Sequence, residues 1–158
     1  HYPLRRQRQM CIRDRLMAQD AKDWIYNQSF DKAHYLKLQV DIHHIFPKAW
    51  CEKNGVSWTE RESVVNKTPL GKRTNILLSG NAPSVYHAKI QKEIKASDDV
   101  IDALVGAHQI DPDLLWSDDF TGFFRARRAA LCDLVEAAIG KTVPRDVTAA
   151  EASANDQT

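Results

Sequence analysis

The run Asp41-Ile42-His43-His44-Ile45-Phe46-Pro47 constrains this chain more than any other stretch. Two histidines stand side by side among β-branched residues, with a carboxylate two positions before the first and a proline closing the run. Successive residues of a strand point to opposite faces, so two imidazoles in a plain strand do not share one task. A turn or bulge beginning at the second would bring both towards one site. One ring can then hold a cation while the other takes a proton from water. Taken alone, the pair also reads as one packed and one solvated histidine.

The following residues favour a shared site. Asn66 opens Asn66-Lys67-Thr68-Pro69-Leu70, Asn75 comes nine positions later in Lys72-Arg73-Thr74-Asn75, and Asn81-Ala82-Pro83-Ser84 follows. This order resembles the HNH, or ββα-metal, nuclease motif: a D-x-H-H-I-x-P strand, a middle Asn, and a last His or Asn on a helix. The trailing N-x-P-S is similar to the HNH domain of the RNA-guided CRISPR nuclease. The fuller run, DIHHIFPKAWC, VVNKTPLGKRTN and APSVYH, resembles the C-terminal nuclease region of GmrSD-type restriction and phage-defence proteins. The resemblance covers Val40 to about Ile90. A weaker similarity, carried by FFRARRAAL and AAIGK, runs from Phe120 to Lys141.

The resemblance implies an α+β fold: a small ββα-metal core of two short antiparallel strands, at about residues 36–90, surrounded by several helices. It makes His43 a metal ligand, His44 the general base and Asn75 the second protein ligand, supplied from the helix. Asn66 falls on the middle Asn, expected to tie the strands together and orient His44. Asp41 is a further candidate at the cation, fixing a ring N–H or a bound water. The chain has His43 where the RNA-guided nuclease has an acidic ligand, and Ser79 where colicin-type nucleases place a further histidine. One imidazole and one amide oxygen leave room for waters and phosphate, which suits Mg²⁺ or Mn²⁺ better than a closed Zn²⁺ cage. The imidazole keeps Ni²⁺, Co²⁺ and Zn²⁺ open. His87 matches no motif position.

The implied activity is metal-dependent hydrolysis of DNA phosphodiesters in a prokaryotic restriction or phage-defence protein. Relatives carry an N-terminal nucleotide-binding domain. No G-x-x-x-x-G-K-[ST] loop occurs here, so NTP dependence would lie in sequence outside this chain. Lys67, Lys72 and Arg73 bracket the two asparagines without an intervening acid, a candidate phosphate-contacting patch. An exposed hairpin with ordinary charges is the plainer reading. Two other classes stay open: a non-catalytic nucleic-acid-binding module with a degenerate HNH fold, and a structural metal domain using His34, His43, His44, His87 or His108. The histidine spacings match no compact cage, which weighs against the latter.

At 158 residues the chain has the length of one domain, and 43% hydrophobic with 27% charged residues is ordinary for a globular protein. A net charge of +1 means that any polyanion site must be local. No apolar run approaches the roughly 18 residues that span a bilayer, so no membrane role is expected. Cys11, Cys51 and Cys132 are widely spaced, which disfavours a zinc ribbon or disulfide framework and fits a cytoplasmic protein. No dimer signature is visible, and cutting both strands with one such site would require dimerisation or re-binding.

Residues 1–15 are basic and lack an apolar signal core. Besides a nucleic-acid-binding arm, LRRQRQMCIRDR resembles translated sequencing-adapter sequence, so this segment is set aside as non-native or disordered. The natural protein is then expected to begin upstream. The nuclease domain with its helical flanks is placed at 16–141 and a disordered tail at 142–158. A helix is predicted from Leu16 to about Gln28, a strand over Tyr35–His43 from the alternation of Leu36, Leu38 and Val40, and a polar excursion with some helix at 48–63. A second strand is predicted over Val64–Leu70. Helices are predicted from Ser84 to about Lys95 and from a Ser97 cap to about His108, with a short one after Asp111. A long one runs from about Asp118 to Ile139, with Gly140 as its C-cap. Arg125, Arg127 and Arg128 on that helix read as a solvated face, with DNA contact as the alternative.

Overall fold

The computed structural model describes residues 11–18, 20–26, 30–140 and 142. Among them one two-stranded antiparallel sheet is set in an otherwise helical chain, an α+β architecture. Residues 11–18 are helical (α1). They are followed by α2 (Lys32–Leu38), β1 (Asp41–His44), α3 (Lys48–Lys53), α4 (Trp58–Arg61), a 3₁₀ turn (Val64–Asn66) and β2 (Lys67–Leu70). Then come α5 (Lys72–Leu78), α6 (Pro83–Ile94), α7 (Asp98–Gly106), α8 (Pro112–Trp116) and α9 (Phe120–Ile139). No helix among the described residues is long and apolar enough to cross a membrane. Residues 1–10 and the tail from 143 lie outside the described residues. Residues 11–15, set aside above, belong to α1, and Ile12 packs against buried Leu16 and its neighbours.

The strand register pairs Asp41 with Leu70, Ile42 with Pro69, His43 with Thr68 and His44 with Lys67. Pro69 is tolerated because each strand of a two-stranded sheet is an edge. One core cluster gathers Trp24, Ile45, Phe46, Leu70 and Tyr86 with the apolar faces of α7 to α9. A second packs Leu16, Phe30, Val40 and Val65 against Leu131 of α9.

Three predicted elements are corrected. The strand expected over Tyr35–His43 begins only at Asp41, and its first part is α2. Asp31 caps that helix by accepting the His34 N–H at 2.9 Å, and Gln39 ends it in the left-handed conformation at φ 51°. Leu36, which the alternation would bury, is 70% exposed. The helix expected to reach Gln28 runs through residue 18 and has ended by Asp20, which turns left-handed at φ 61°. Asp23 then engages the Ile25 and Tyr26 N–H groups instead of a helical ladder. Asn27 and Gln28 lie outside the described residues. The second strand starts at Lys67 rather than Val64, after the 3₁₀ turn.

From Pro83 onward the predicted helices are present, with caps that differ in detail. The Asp118 carboxylate, not Ser84, serves the start of α6, accepting from the Ser84 N–H at 2.9 Å and its hydroxyl at 2.6 Å. Ser97 stands at the α7 N-cap position without a side-chain capping bond. Gly140 closes α9 at φ 66°, a conformation that favours glycine.

A buried polar seam crosses the two clusters. Asp23, fully buried, accepts from the Gly71 N–H at 2.8 Å and the Thr74 hydroxyl at 2.6 Å, fastening α5 to the end of β2. A Cβ on Gly71 would lie 3.1 Å from that carboxylate and 3.2 Å from the Leu38 carbonyl oxygen, which explains a residue without one. His108, also fully buried, donates from Nε2 to the Lys22 carbonyl at 2.7 Å and accepts the Thr68 hydroxyl at Nδ1, at 2.6 Å.

Burial pushes His108 from 6.5 down to about 4. The unfolded chain therefore binds a proton between these values that the folded chain refuses. Stability is complete above about pH 6.5 and falls as pH drops towards 4, by up to roughly 3 kcal/mol at ~1.4 kcal/mol per unit. Urea titrations at pH 7 and pH 4.5 should show the loss, and His108→Gln should flatten much of it.

Candidate active site

The two histidines stand at the end of β1, and the chain beyond them is gripped by buried groups. The Ile45 N–H donates to the Asn66 carbonyl at 2.8 Å, and the Tyr86 hydroxyl donates to the Ile45 carbonyl at 3.0 Å. Asn66, fully buried, accepts the Phe46 N–H at Oδ1, 2.9 Å away. Its Nδ2 donates to the Phe46 carbonyl at 3.1 Å and to the Arg61 carbonyl at 3.0 Å. One side chain thus joins the segment after His44 to the segment before Glu62. Asn66→Ala removes three hydrogen bonds, two of them buried, and should destabilise the fold by about 2–4 kcal/mol, read as a lower urea midpoint at unchanged slope.

His44 is half-buried, and its Nε2 lies 3.0 Å from Glu62 Oε1. The same carboxylate takes Lys67 Nζ at 3.1 Å on Oε2 and Arg61 Nε at 3.2 Å on Oε1. Arg61 is steadied in turn by Glu52 at 3.1 Å. Burial opposes the charge on Glu62, but the bonds from Lys67 and His44 outweigh it and hold the carboxyl at about 2. Burial also lowers the His44 imidazole below its ordinary value, Glu62 pulls it back up, and the cations of Lys67 and Arg61 push it down again. The net effect is a neutral ring at neutral pH. Nothing in the sequence singles out Glu62: it is one acid in a polar excursion, and only the fold brings it beneath His44.

His43 leaves the opposite face of the strand: the ladder is regular from Asp41 to His44, so the bulge expected to begin at His44 is absent, and the chain bends only at Ile45 and Phe46, just beyond the pair. Its Nε2 is buried and, among the described residues, has no hydrogen-bond partner. Burial lowers its pKa, the Asp41 charge opposes that, and His44 adds to it. Such an orphaned nitrogen is uncommon in a folded chain and costs free energy unless something occupies it. Asp41 is exposed and bonds the Ile42 N–H at 2.8 Å. Asn75 is half-buried on α5, a short step beyond Leu70, the cross-strand partner of Asp41, and its amide makes no side-chain hydrogen bond among the described residues. No three His, Cys, Asp or Glu side chains gather into a metal-binding group among the described residues. A cation here would rest on one imidazole, oxygen ligands and water.

The three bracketing cations divide. Lys67 is drawn into the Glu62 cluster. Arg73 pairs with Glu93 at 2.7 Å and lies against the Tyr26 ring, and Lys72 is exposed. The solvated-face reading holds for Arg125, whereas Arg127 departs from both readings of the α9 arginines. It is fully buried and donates to the carbonyls of Val64, Val65, Lys67 and His108, whereas Arg125 is exposed and Arg128 half-buried. The remaining histidines among the described residues are engaged elsewhere: His108 in the core, His34 with Asp31 at 2.6 Å, and His87 packed on Trp116 with ring centres 4.4 Å apart.

No protein-family model matches the chain, and no solved structure matches it. It is similar to the uncharacterized protein MJ0686 of Methanocaldococcus jannaschii, with 40% identity over 72 residues. That stretch is 44% of this chain and 12% of the relative, so the chain spans only a small part of the relative's length.

Proposed function

We propose that this chain is a metal-dependent HNH endonuclease with a ββα-metal centre formed by β1, β2 and α5. The observation that carries the reading is the pair of unlike histidines. His43 has a buried nitrogen without a partner, and its neighbour His44 is a neutral imidazole braced by a carboxylate. His43 and Asn75 would hold the cation, with Asp41 beside them, and the oxygen-rich remainder favours Mg²⁺ or Mn²⁺. A divalent ion bound there would offset charge developing on the phosphoryl oxygens.

His44 takes a proton from the attacking water as its oxygen bonds to phosphorus. The bond to the 3′-oxygen breaks, and that oxygen is protonated from solvent, leaving a 5′-phosphate and a 3′-hydroxyl. Asn66 fixes the backbone on which His44 rides. Lys72 is the exposed cation best placed in sequence for backbone phosphates. DNA is the substrate proposed, within a larger restriction or phage-defence polypeptide whose nucleotide-binding domain lies outside this chain. The length of MJ0686 beyond the shared stretch is compatible with that arrangement.

Nicking of supercoiled plasmid by the full chain tests the proposal, with Mg²⁺, Mn²⁺, Ni²⁺ or EDTA. Cleavage with metal, abolished by EDTA and by Asn75→Ala in a folded variant, supports it. Folded protein that binds DNA but never cuts it with any of these metals identifies a binding module instead.

A further inference from the structure

The Glu62 cluster has an asymmetry that decides which nitrogen of His44 does chemistry. Glu62 is mostly buried and receives N–H groups from Lys67 and Arg61 as well as facing His44. A carboxylate paired with two cations has no proton to give, so the hydrogen shared at 3.0 Å must belong to the imidazole. We infer that Glu62 is a positioning residue that locks His44 as its Nε2–H tautomer, leaving Nδ1 as the atom that accepts the proton from water.

This inference rests on the nuclease reading for its role, but its geometry stands by itself. Lys67 is the cross-strand partner of His44, so both side chains leave the same face of the sheet and converge on one carboxylate. Glu62 sits at the C-cap of α4, where the preceding carbonyl, that of Arg61, is held by Asn66. Asn66 also holds Phe46, just beyond His44. Acid and imidazole are therefore spaced by one buried amide and cannot drift independently. The arrangement gives Lys67 a task besides phosphate contact: it neutralises the carboxylate so that Glu62 orients the ring without removing its proton.

Long-range ¹H–¹⁵N spectra of the metal-free full chain read the tautomer directly. Steady-state nicking with Mg²⁺ reads its consequence. Wild type should carry the His44 proton on Nε2. Glu62→Ala should mix the tautomers and lower kcat on the order of 10- to 100-fold, with KM within about threefold. Glu62→Gln keeps an acceptor oxygen and should recover part of both. A wild-type His44 protonated on Nδ1, or a Glu62→Ala variant with unchanged tautomer and kcat, overturns the inference. If the tautomer behaves as described but wild type cuts nothing, the lock stands and the nuclease reading falls.

Discussion

His44→Ala should lower the nicking rate on the order of 10³-fold, the size of effect a positioned general base supplies, equivalent to about 4 kcal/mol of transition-state stabilisation. The fold should hardly notice. His44 is half-buried, and its removal leaves Glu62 still paired with Lys67 and Arg61, so no buried charge is stranded. The two effects separate cleanly by comparing initial rates at saturating plasmid with urea midpoints. Nicking within about threefold of wild type would remove His44 from the mechanism. A loss of activity matched by a loss of folding would mean that the imidazole is structural.

Arg127→Met should do the reverse, damaging stability first. Its guanidinium satisfies four carbonyl oxygens, at 2.6 to 3.2 Å, in a site without exposure. Methionine fills much of the volume but donates nothing, leaving buried acceptors at about 1–3 kcal/mol each if none finds water. Partial relaxation brings the expected loss to about 3–5 kcal/mol, or roughly 10 °C in Tm for a domain of this size. Replacing a buried charge by an apolar side chain is sometimes neutral. Here the unmet carbonyls decide the sign. Arg127→Lys should rescue little, because one ammonium cannot span the Val65, Lys67 and His108 carbonyls together. A Met variant as stable as wild type would show that the clamp contributes nothing net.

The helical half was legible because its signals are local. Pro83, Asp111-Pro112 and Gly140 punctuate the chain where α6, α8 and α9 begin or end. The α+β class followed from the resemblance to the ββα-metal motif, carried by the spacing of the histidines and asparagines, and not from local periodicity. The strand over Tyr35–His43 misread a period-two pattern whose first part is helical, because capping by Asp31 outweighs alternation and leaves Leu36 in water. Within the candidate site, the histidines and asparagines could be singled out, whereas their supports could not. Glu62 and Arg127 look like ordinary surface charges in sequence. Only contacts across long separations bury them, and no local pattern encodes those. The partner of Arg73 was equally hidden, since Glu93 lies twenty positions away in sequence.

The polar seam also dictates when such a centre can come into being. Val64, Val65 and Lys67 wait for Arg127, Thr68 waits for His108, and Gly71 depends on Asp23, far earlier in the chain. A growing polypeptide that has already exposed both histidines to its surroundings still lacks the guanidinium that fixes the strand opposite them. Assembly is therefore deferred until α9 leaves the ribosome, and a shorter nascent chain carries the histidines without the strand fixed opposite them.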